Sequence, residues 1–225
     1  HPVPALPEQA RHALSDYVRV RNLFDEETVL ETVAAYARRV RIDRVECLWE
    51  PGMMLAARLR ERLGLPGMSV EQTLLFRDKE LMKQALDRAG IRTPRHRRAA
   101  SEEEVREAIE AVGYPAIVKP IAGAGSADTY RISDDIELER VLRWIRHVPE
   151  VSVEEFIEGE EFTFDTLCAG GEILYENVAW YRPKPLIART QEHLSPQTIS
   201  LRDHETPHLK PGQALGRAVI AALGF

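Results

Sequence analysis

The chain has 225 residues, of which 44% are hydrophobic and 29% charged, with a formal net charge of −6. These are values of a globular protein, and they exclude a disordered or fibrous chain. The negative charge argues against a large nucleic-acid surface. The longest nearly uncharged apolar stretch, Ala218 to Phe225, is far shorter than the roughly 20 residues of a membrane span. We therefore expect a cytoplasmic protein without nucleic-acid or membrane partners.

Residues 1–73 alternate between helical and strand patterns. Asp25 can cap a helix whose first turn is acidic, and Val45 to Trp49 is a short, largely apolar run. A helical pattern that begins at Pro51 continues through Leu63. This alternation predicts a small α/β domain.

Residues 74–150 contain two helices with clear boundary residues. Asp78 precedes the stretch Lys79 to Ala89, and Gly90 follows it as a C-cap. Ser101 and Glu104 form a capping box that opens a helix ending at Gly113. The basic run between these helices, Arg92 to Arg98, lacks interleaved aromatic residues and is either a solvated loop or an edge strand.

A strand, a glycine-bearing loop and a second strand follow. The strands are Tyr114 to Pro120 and Thr129 to Ile132, and the loop between them is Ile121 to Ala127. A helix from about Asp134 to His147 completes this segment. Together these elements predict a segment of mixed α/β structure, with the glycine loop at the end of its first strand.

Residues 151–225 are rich in strand patterns. Val151 to Ile157, Glu161 to Cys168 and Glu172 to Tyr181 are the predicted strands. Gly170 and Gly171 suit a hairpin turn, because glycine adopts positive φ without strain. The proline-marked stretch Arg182 to Pro211 is expected to be a long irregular lid or binding loop. The last pattern, Gln213 to Leu223, predicts an apolar helix.

The loop Gly123-Ala124-Gly125-Ser126 is the first candidate site. Two glycines let the backbone approach an anion closely, and the serine adds a hydroxyl donor. Lys119 ends the preceding strand, so its ammonium would emerge where a phosphate held by the loop would lie. A plain hairpin loop and a solvated strand-end lysine remain the alternatives.

The segment Val151 to Glu161 is the second candidate site. Extended backbone can read the edge of a purine, and Phe156 can pack beside the ring. A carboxylate a few residues later can accept both hydroxyls of a ribose. The alternative is a surface strand with solvated glutamates.

Five motifs occur in an order that resembles the ATP-grasp superfamily over roughly Leu74 to Asp165. They are Arg77-Asp78-Lys79, Gly90 to Pro94, Gly113 to Pro120, Gly123 to Ser126 and Glu154 to Phe162. The resemblance implies an α/β ATP-grasp fold behind a small α/β domain, incomplete at both ends. Residues 1–73 would be the preceding domain, 74–150 the small subdomain with a phosphate flap, and 151–225 the start of the large subdomain.

The resemblance also implies roles for single residues. Lys79 and Lys119 would bind the ATP phosphates. Gly123, Gly125 and Ser126 would form a mobile flap over them. The main chain of Glu155 and Ile157 would bind adenine beside Phe156, with Glu154 nearby, and Glu161 would bind the ribose.

The implied reaction joins a small-molecule carboxylate to an amine through an acyl phosphate. The stretches Glu176 to Pro185 and Ala188 to Thr190 are similar to amino-acid ligases and carnosine-synthase-like enzymes. Lys184 and Arg189 are candidates for contacting the γ-phosphate or a substrate carboxylate, and solvated loop cations are the alternative. Pairing through the first domain is common in the family, which leaves a homodimer open.

Magnesium ligands are expected beyond residue 225, so no residue of this chain is assigned to a metal. Asp165, Glu172, Glu176 and Asn177 are interpreted as strand-face residues. Three other functions stay open: a ligase of the purine-precursor, carbamoyl-phosphate or biotin-carboxylase type, a phosphotransferase, and a non-catalytic ATP-binding module that regulates a partner.

Overall fold

The chain divides into two compact units, His1–Thr73 and Leu74–Phe225. The computed structural model describes residues 6–123, 125, 127–191 and 193–224. Within these residues, no helix is both long and apolar enough to cross a lipid bilayer.

The first unit is helical. It contains α1 (Glu8–Ala13), α2 (Glu26–Ala37), a 3-10 turn (Glu50–Gly52) and α3 (Met53–Leu63). Its core packs Val29 of α2 against Leu55 and Leu59 of α3. The predicted start of α2 is confirmed, because the Asp25 carboxylate accepts a hydrogen bond from the N–H of Thr28 at 3.4 Å.

The predicted strand Val45 to Trp49 is wrong. The backbone there has no strand partner, and residues 6–73 contain no β-strand. The carbonyl oxygen of Val45 instead accepts a hydrogen bond from Nη1 of Arg60 at 2.9 Å. A strand forms through pairing of its main-chain groups with another strand, and the described part of this unit supplies no such strand.

The second unit begins within α4 (Val70–Arg77), which is followed by α5 (Lys79–Arg88). The Asp78 carboxylate accepts hydrogen bonds from the N–H groups of Glu80 at 2.9 Å and Leu81 at 3.0 Å. Gly90, with φ of 70°, follows the end of α5. Both predicted boundaries of this helix are therefore confirmed.

An antiparallel four-stranded sheet forms the centre of the second unit. Its strands are β1 (His96–Ala99), β2 (Ala116–Pro120), β3 (Tyr130–Ile132) and β4 (Val151–Glu155), in the spatial order β1-β4-β2-β3. The part of the basic run that forms β1 is thus an edge strand. The expected domain boundary between residues 150 and 151 cuts this sheet, because β4 lies between β1 and β2.

Two helices cover one face of this sheet. They are α6 (Glu102–Val112) and α7 (Asp135–Trp144), and a 3-10 turn (Ile145–His147) follows α7. Val118 and Val153 face these helices in the main core. Because side chains alternate along a strand, Lys119 and Ser152, which pair across β2 and β4, face the opposite side.

A second antiparallel sheet follows along the chain, and a helix, α8, comes between its last two strands in the sequence. Its elements are β5 (Phe162–Ala169), β6 (Glu172–Arg182), α8 (Pro185–Thr190) and β7 (Gln197–Ser200), with strand order β5-β6-β7. The predicted hairpin is confirmed by φ values of 63° at Gly170 and 83° at Gly171.

The stretch Arg182 to Pro211 is not the long irregular loop that we expected. It contains α8, which has proline in its first turn, and β7, in which Ile199 pairs with Trp180. The predicted C-terminal helix is confirmed as α9 (Lys210–Ala222). Gly216 of α9 lies directly against the ring of Phe164 in β5.

Candidate nucleotide site

Lys119 lies near the end of β2, on the sheet face opposite the main core. Its side chain is about a quarter exposed, and its Nζ atom lies 2.8 Å from Oε2 of Glu154. Glu154 is buried on the neighbouring strand β4. The structure therefore brings these two sequence-predicted residues together as an ion pair.

Lys79 is the first residue of α5, so the cap at Asp78 fixes its position. Its Nζ atom donates hydrogen bonds to the carbonyl oxygens of Ile121 at 3.2 Å and Gly123 at 2.8 Å. Both acceptors belong to the glycine loop that follows β2. The fold thus joins Lys79 to the predicted flap, although the two are more than 40 residues apart in sequence.

The other side of the glycine loop contacts Arg189 of α8. Its Nη1 atom donates to the carbonyl oxygen of Gly125 at 3.3 Å. Gly125 has φ of 64°, a backbone conformation that favours glycine. The predicted flap residue Ser126 lies outside the described residues.

The end of β4 places limits on how a purine could bind. The N–H of Glu155 already donates to the carbonyl oxygen of Arg95 at 2.9 Å. The N–H of Phe156 donates to Pro115 at 3.1 Å, and the guanidinium of Arg131 lies 4.5 Å from the centre of the Phe156 ring. The carbonyl oxygen of Glu155 and the main chain of the half-exposed Ile157 are the groups to consider for a purine.

Glu161 immediately precedes β5. Burial raises the pKa of its carboxyl above the ordinary value, and the positive charges of Lys184 and Lys119 offset part of this effect. These two lysines, from different elements, therefore act on the same carboxylate. The predicted ribose ligand Glu161 is thus close enough to Lys184, a candidate contact for the γ-phosphate, for the two charges to interact.

Glu154 has the opposite balance. Burial raises the pKa of its carboxyl, but attraction to Lys119 and Lys83 outweighs burial, so the pKa lies below its ordinary value. The group is therefore ionised at neutral pH, as the ion-pair geometry requires.

Sequence reasoning missed a buried polar cluster beside the ion pair. It consists of the buried Glu80, Lys83 and Ser152 together with the partly buried His96. The local signal was weak: Glu80 and Lys83 are three residues apart on a helix, a spacing that is also common on solvated faces. Their burial depends on β1 and β4, which follow later in the sequence.

The described residues offer no fit for a metal ion. Among them, no three His, Cys, Asp or Glu side chains converge as metal ligands. Asp165 accepts a hydrogen bond from Nδ2 of Asn177 at 3.3 Å, and Glu176 binds Arg217 at 2.5 and 2.6 Å.

The arrangement is suited to a polyanion. Cationic side chains from three separate elements, Lys79, Lys119 and Arg189, lie at or beside one glycine loop. Ammonium and guanidinium groups on a glycine-rich loop are a common way to bind phosphates.

Comparison with known protein families agrees with this geometry. Residues 2–67 match the ATP-grasp N-terminal domain, and residues 76–179 match the ATP-grasp domain. The chain belongs to the ATP-grasp family. The ATP-grasp match includes Lys79, Lys119, the glycine loop and Glu161, whereas Lys184 and Arg189 lie outside it.

Similar proteins and structures include ATP-grasp ligases. Alanine–anticapsin ligase of Bacillus subtilis is 28% identical over 200 residues, covering 77% of this chain and 42% of that protein. The L-amino acid ligase of Bacillus licheniformis has a TM-score of 0.69 at 23% identity, covering 92% of this chain and 49% of that one.

A further similar structure contains bound nucleotide. The D-alanine–D-alanine ligase of Bacillus anthracis, complexed with ATP, has a TM-score of 0.66 at 21% identity, covering 91% of this chain and 64% of that one. The likeness to these two structures establishes the fold. The chain spans less than two thirds of the length of each of these three proteins.

Proposed function

We propose that this chain is the ATP-binding part of a ligase that joins the carboxylate of one amino acid to the amine of another. The observation that carries the proposal is the meeting of Lys79, Lys119 and the glycine loop at the end of β2. The similarity to alanine–anticapsin ligase supports the choice of amino acids as substrates.

The phosphates of ATP bind between the two lysines and the loop. Lys79 and Lys119 neutralise part of the polyphosphate charge, and Gly123, Gly125 and Ser126 cover it. Covering the phosphates excludes water, which protects a reactive phosphorylated intermediate from hydrolysis.

The nucleoside binds along the segment that follows β4. The carbonyl oxygen of Glu155 and the main chain of Ile157 contact the adenine edge, and Phe156 packs beside the ring. Glu161 accepts hydrogen bonds from the ribose hydroxyls. This role is supported by its position beside Lys119 and Lys184, near the phosphate end of the site.

Arg189 and Lys184 act on the γ-phosphate side. Arg189 donates a hydrogen bond to the carbonyl oxygen of Gly125, which places its guanidinium beside the loop that covers the phosphates. The positive charge of Lys184 stabilises the ionised carboxylate of Glu161. Either cation can contact the γ-phosphate or a substrate carboxylate.

The reaction has two displacement steps. A carboxylate oxygen attacks the γ-phosphorus, ADP leaves, and an acyl phosphate forms. The amine then attacks the acyl carbon, inorganic phosphate leaves, and the amine gives up a proton. The chain contributes charge neutralisation and alignment of the reactants.

The domain division remains part of the proposal. Residues 1–73 form the preceding domain, 74–150 the small subdomain, whose sheet β4 joins, and 151–225 the start of the large subdomain. Mg²⁺ binds together with ATP. We also propose a cytoplasmic location and leave a homodimer open.

The test is ATP turnover by the full-length gene product, with Mg²⁺ and pooled amino acids, and with release of ADP and phosphate followed together. Mass spectrometry then searches for products one water lighter than two amino acids combined. The ligase predicts stimulated turnover and such a product. A phosphorylated product without phosphate release would indicate a phosphotransferase, and ATP binding without turnover would indicate a regulatory module.

A further inference from the structure

We propose that Lys83 is a positioning residue of the nucleotide site, which acts through Glu154 to keep the charge of Lys119 available to a polyphosphate. This inference rests on the proposed function, because it assumes that Lys119 binds ATP phosphates. Lys83 itself does not contact the nucleotide.

Lys83 is surrounded by protein oxygens. Lys83 is 4% exposed. Its Nζ atom lies 2.6 Å from Oε1 of Glu154, 2.7 Å from Oγ of Ser152 and 3.0 Å from Oε1 of Glu80. An ammonium group has three N–H donors. All three are therefore directed at these neighbours, and none is left for a ligand.

Glu154 divides its two oxygens between two lysines. Oε1 faces Lys83, while Oε2 faces Lys119 at 2.8 Å. Lys119 thus has one of its three donors on Glu154, and its partly exposed ammonium can direct the other two at a ligand. Lys83 and Glu154 together hold Lys119 at a defined position on the sheet face.

The charges of the four side chains that meet around Glu154 sum to zero before ATP binds. Lys83 and Lys119 carry two positive charges, and Glu154 and Glu80 carry two negative ones. The second oxygen of Glu80 lies 2.8 Å from Nδ1 of His96, whose Nε2 lies 2.9 Å from Asp87. Glu80 is thus also held by His96 of β1.

Loss of the Lys83 charge would leave Lys119 to neutralise the Glu154 carboxylate alone. Lys119 would be left as the cation that faces Glu154, and attraction in this buried setting would hold it there. The attraction between Lys119 and a bound phosphate would then be weaker. The effect should fall on the polyphosphate and spare the nucleoside.

The helix α5 carries both Lys79, which is proposed to contact the phosphates, and Lys83, which acts on them through Glu154. Lys79 and Lys83 are separated by one turn of α5. The start of α5 is held by its cap residue Asp78, whose carboxylate contacts Arg98 of β1 at 2.5 Å. A single element therefore positions both lysines relative to β2 and β4.

The test compares the affinities of the whole chain for ATP and for adenosine by calorimetry. Lys83→Met should raise the Kd for ATP about tenfold, the scale of a charge-assisted contact, and leave the Kd for adenosine unchanged. Lys210→Met is the matched control, because it removes the same charge from the exposed first residue of α9.

A second background keeps the test valid if Lys83→Met does not fold. Glu154→Gln and the double variant Lys83→Met/Glu154→Gln leave no uncompensated carboxylate at position 154. If Lys83 acts through Glu154, its loss should change ATP affinity less than threefold in this background. A tenfold loss there would show independent action and overturn the inference.

The remaining outcomes separate the inference from the proposed function. Wild-type chain that fails to bind ATP would overturn the proposed function, and the inference would fall with it. If the wild type binds ATP but Lys83→Met binds it equally well, the inference alone is overturned. Equal weakening of ATP and adenosine would also overturn it, because a general loss of structure affects both ligands.

Discussion

Lys119 and Lys83 have the same side chain but opposite environments. The side chain of Lys119 is 26% exposed and contacts one carboxylate, whereas that of Lys83 is 5% exposed and contacts three side-chain oxygens. The first can bind a ligand, and the second can only organise its neighbours. The environment, rather than the residue type, decides between these roles.

Replacing Lys119 by Ala should weaken ATP binding by about 1.5–3 kcal/mol, the range for a hydrogen bond to a charged group. The affinity for adenosine should stay close to that of the wild type, because the proposed contact of this lysine is with the phosphates. Calorimetric titration with both ligands measures the difference. Unchanged ATP affinity would remove Lys119 from the phosphate site.

At the residue scale, the sequence identified the lysines beside the glycine loop but missed Lys83. Order and spacing of motifs were enough to select Lys79 and Lys119 as candidates. The burial of Lys83 depends on Ser152 and Glu154, which follow it by 69 and 71 residues. A contact between such distant residues leaves no local pattern, so sequence reasoning had no signal to detect.

The helix α5 connects a local cap to the candidate site. Asp78→Ala removes two hydrogen bonds to the helix start and the ion pair with Arg98. We expect a loss of about 1–2 kcal/mol in the free energy of unfolding. ATP affinity should also fall, because Lys79 is the next residue.

Asp134→Ala is the control for this prediction. Asp134 caps α7 in the same way, with the N–H of Glu137 at 2.8 Å, and none of the candidate site residues lies on that helix. Urea unfolding should show a similar cap loss, while calorimetry should show unchanged ATP affinity. Equal loss of ATP affinity in both variants would contradict the link between the α5 cap and Lys79.

Two glycines of α9 predict opposite stability changes. A Cβ atom on Gly216 would overlap the ring of Phe164, whereas one on Gly212 would meet open space. Gly216→Ala should therefore lower the free energy of unfolding by about 1–3 kcal/mol. Gly212→Ala should raise it by about 0.4–1 kcal/mol, because alanine loses less backbone entropy in a helix. Urea unfolding curves measure both, and a stabilised Gly216→Ala would contradict the packing of α9 on β5.

At the element scale, local signals predicted what local interactions determine. The caps at Asp25, Asp78 and Ser101 marked helix starts, and two adjacent glycines marked the hairpin. The strand Val45 to Trp49 was wrong, and β7 was missed, because strand formation depends on a partner elsewhere in the chain. Apolar composition alone does not supply that partner.

Three buried or half-buried acids of the second unit predict a loss of stability in acid. Burial raises the pKa of Asp78, Glu80 and Glu154, but their hydrogen bonds and cationic neighbours outweigh it, so each pKa lies below its ordinary value. Such groups stabilise the fold above their unfolded pKa, about 4, and this contribution is lost as pH falls through their folded pKa. Urea unfolding between pH 6 and pH 3 should show stability falling below about pH 4. Constant stability over this range would contradict the ion-pair assignments.

At the scale of the whole molecule, family membership was predictable but the two-sheet organisation was only partly so. Ordered motifs indicated the ATP-grasp superfamily, which the domain matches confirm. The placement of β4 in the first sheet was not evident, because its alternating pattern is the same as that of the strands that follow. Which sheet a strand joins is set by its partners, not by its own periodicity.

The edges of the first sheet bear on how the protein behaves at high concentration. The two outer strands, β1 and β3, have four and three residues, and they carry Arg97, Arg98 and Arg131. Short edge strands with cationic side chains resist pairing with the open edge of another sheet. These basic edge residues thus protect this sheet from edge-to-edge aggregation, a role that would persist in the absence of nucleotide.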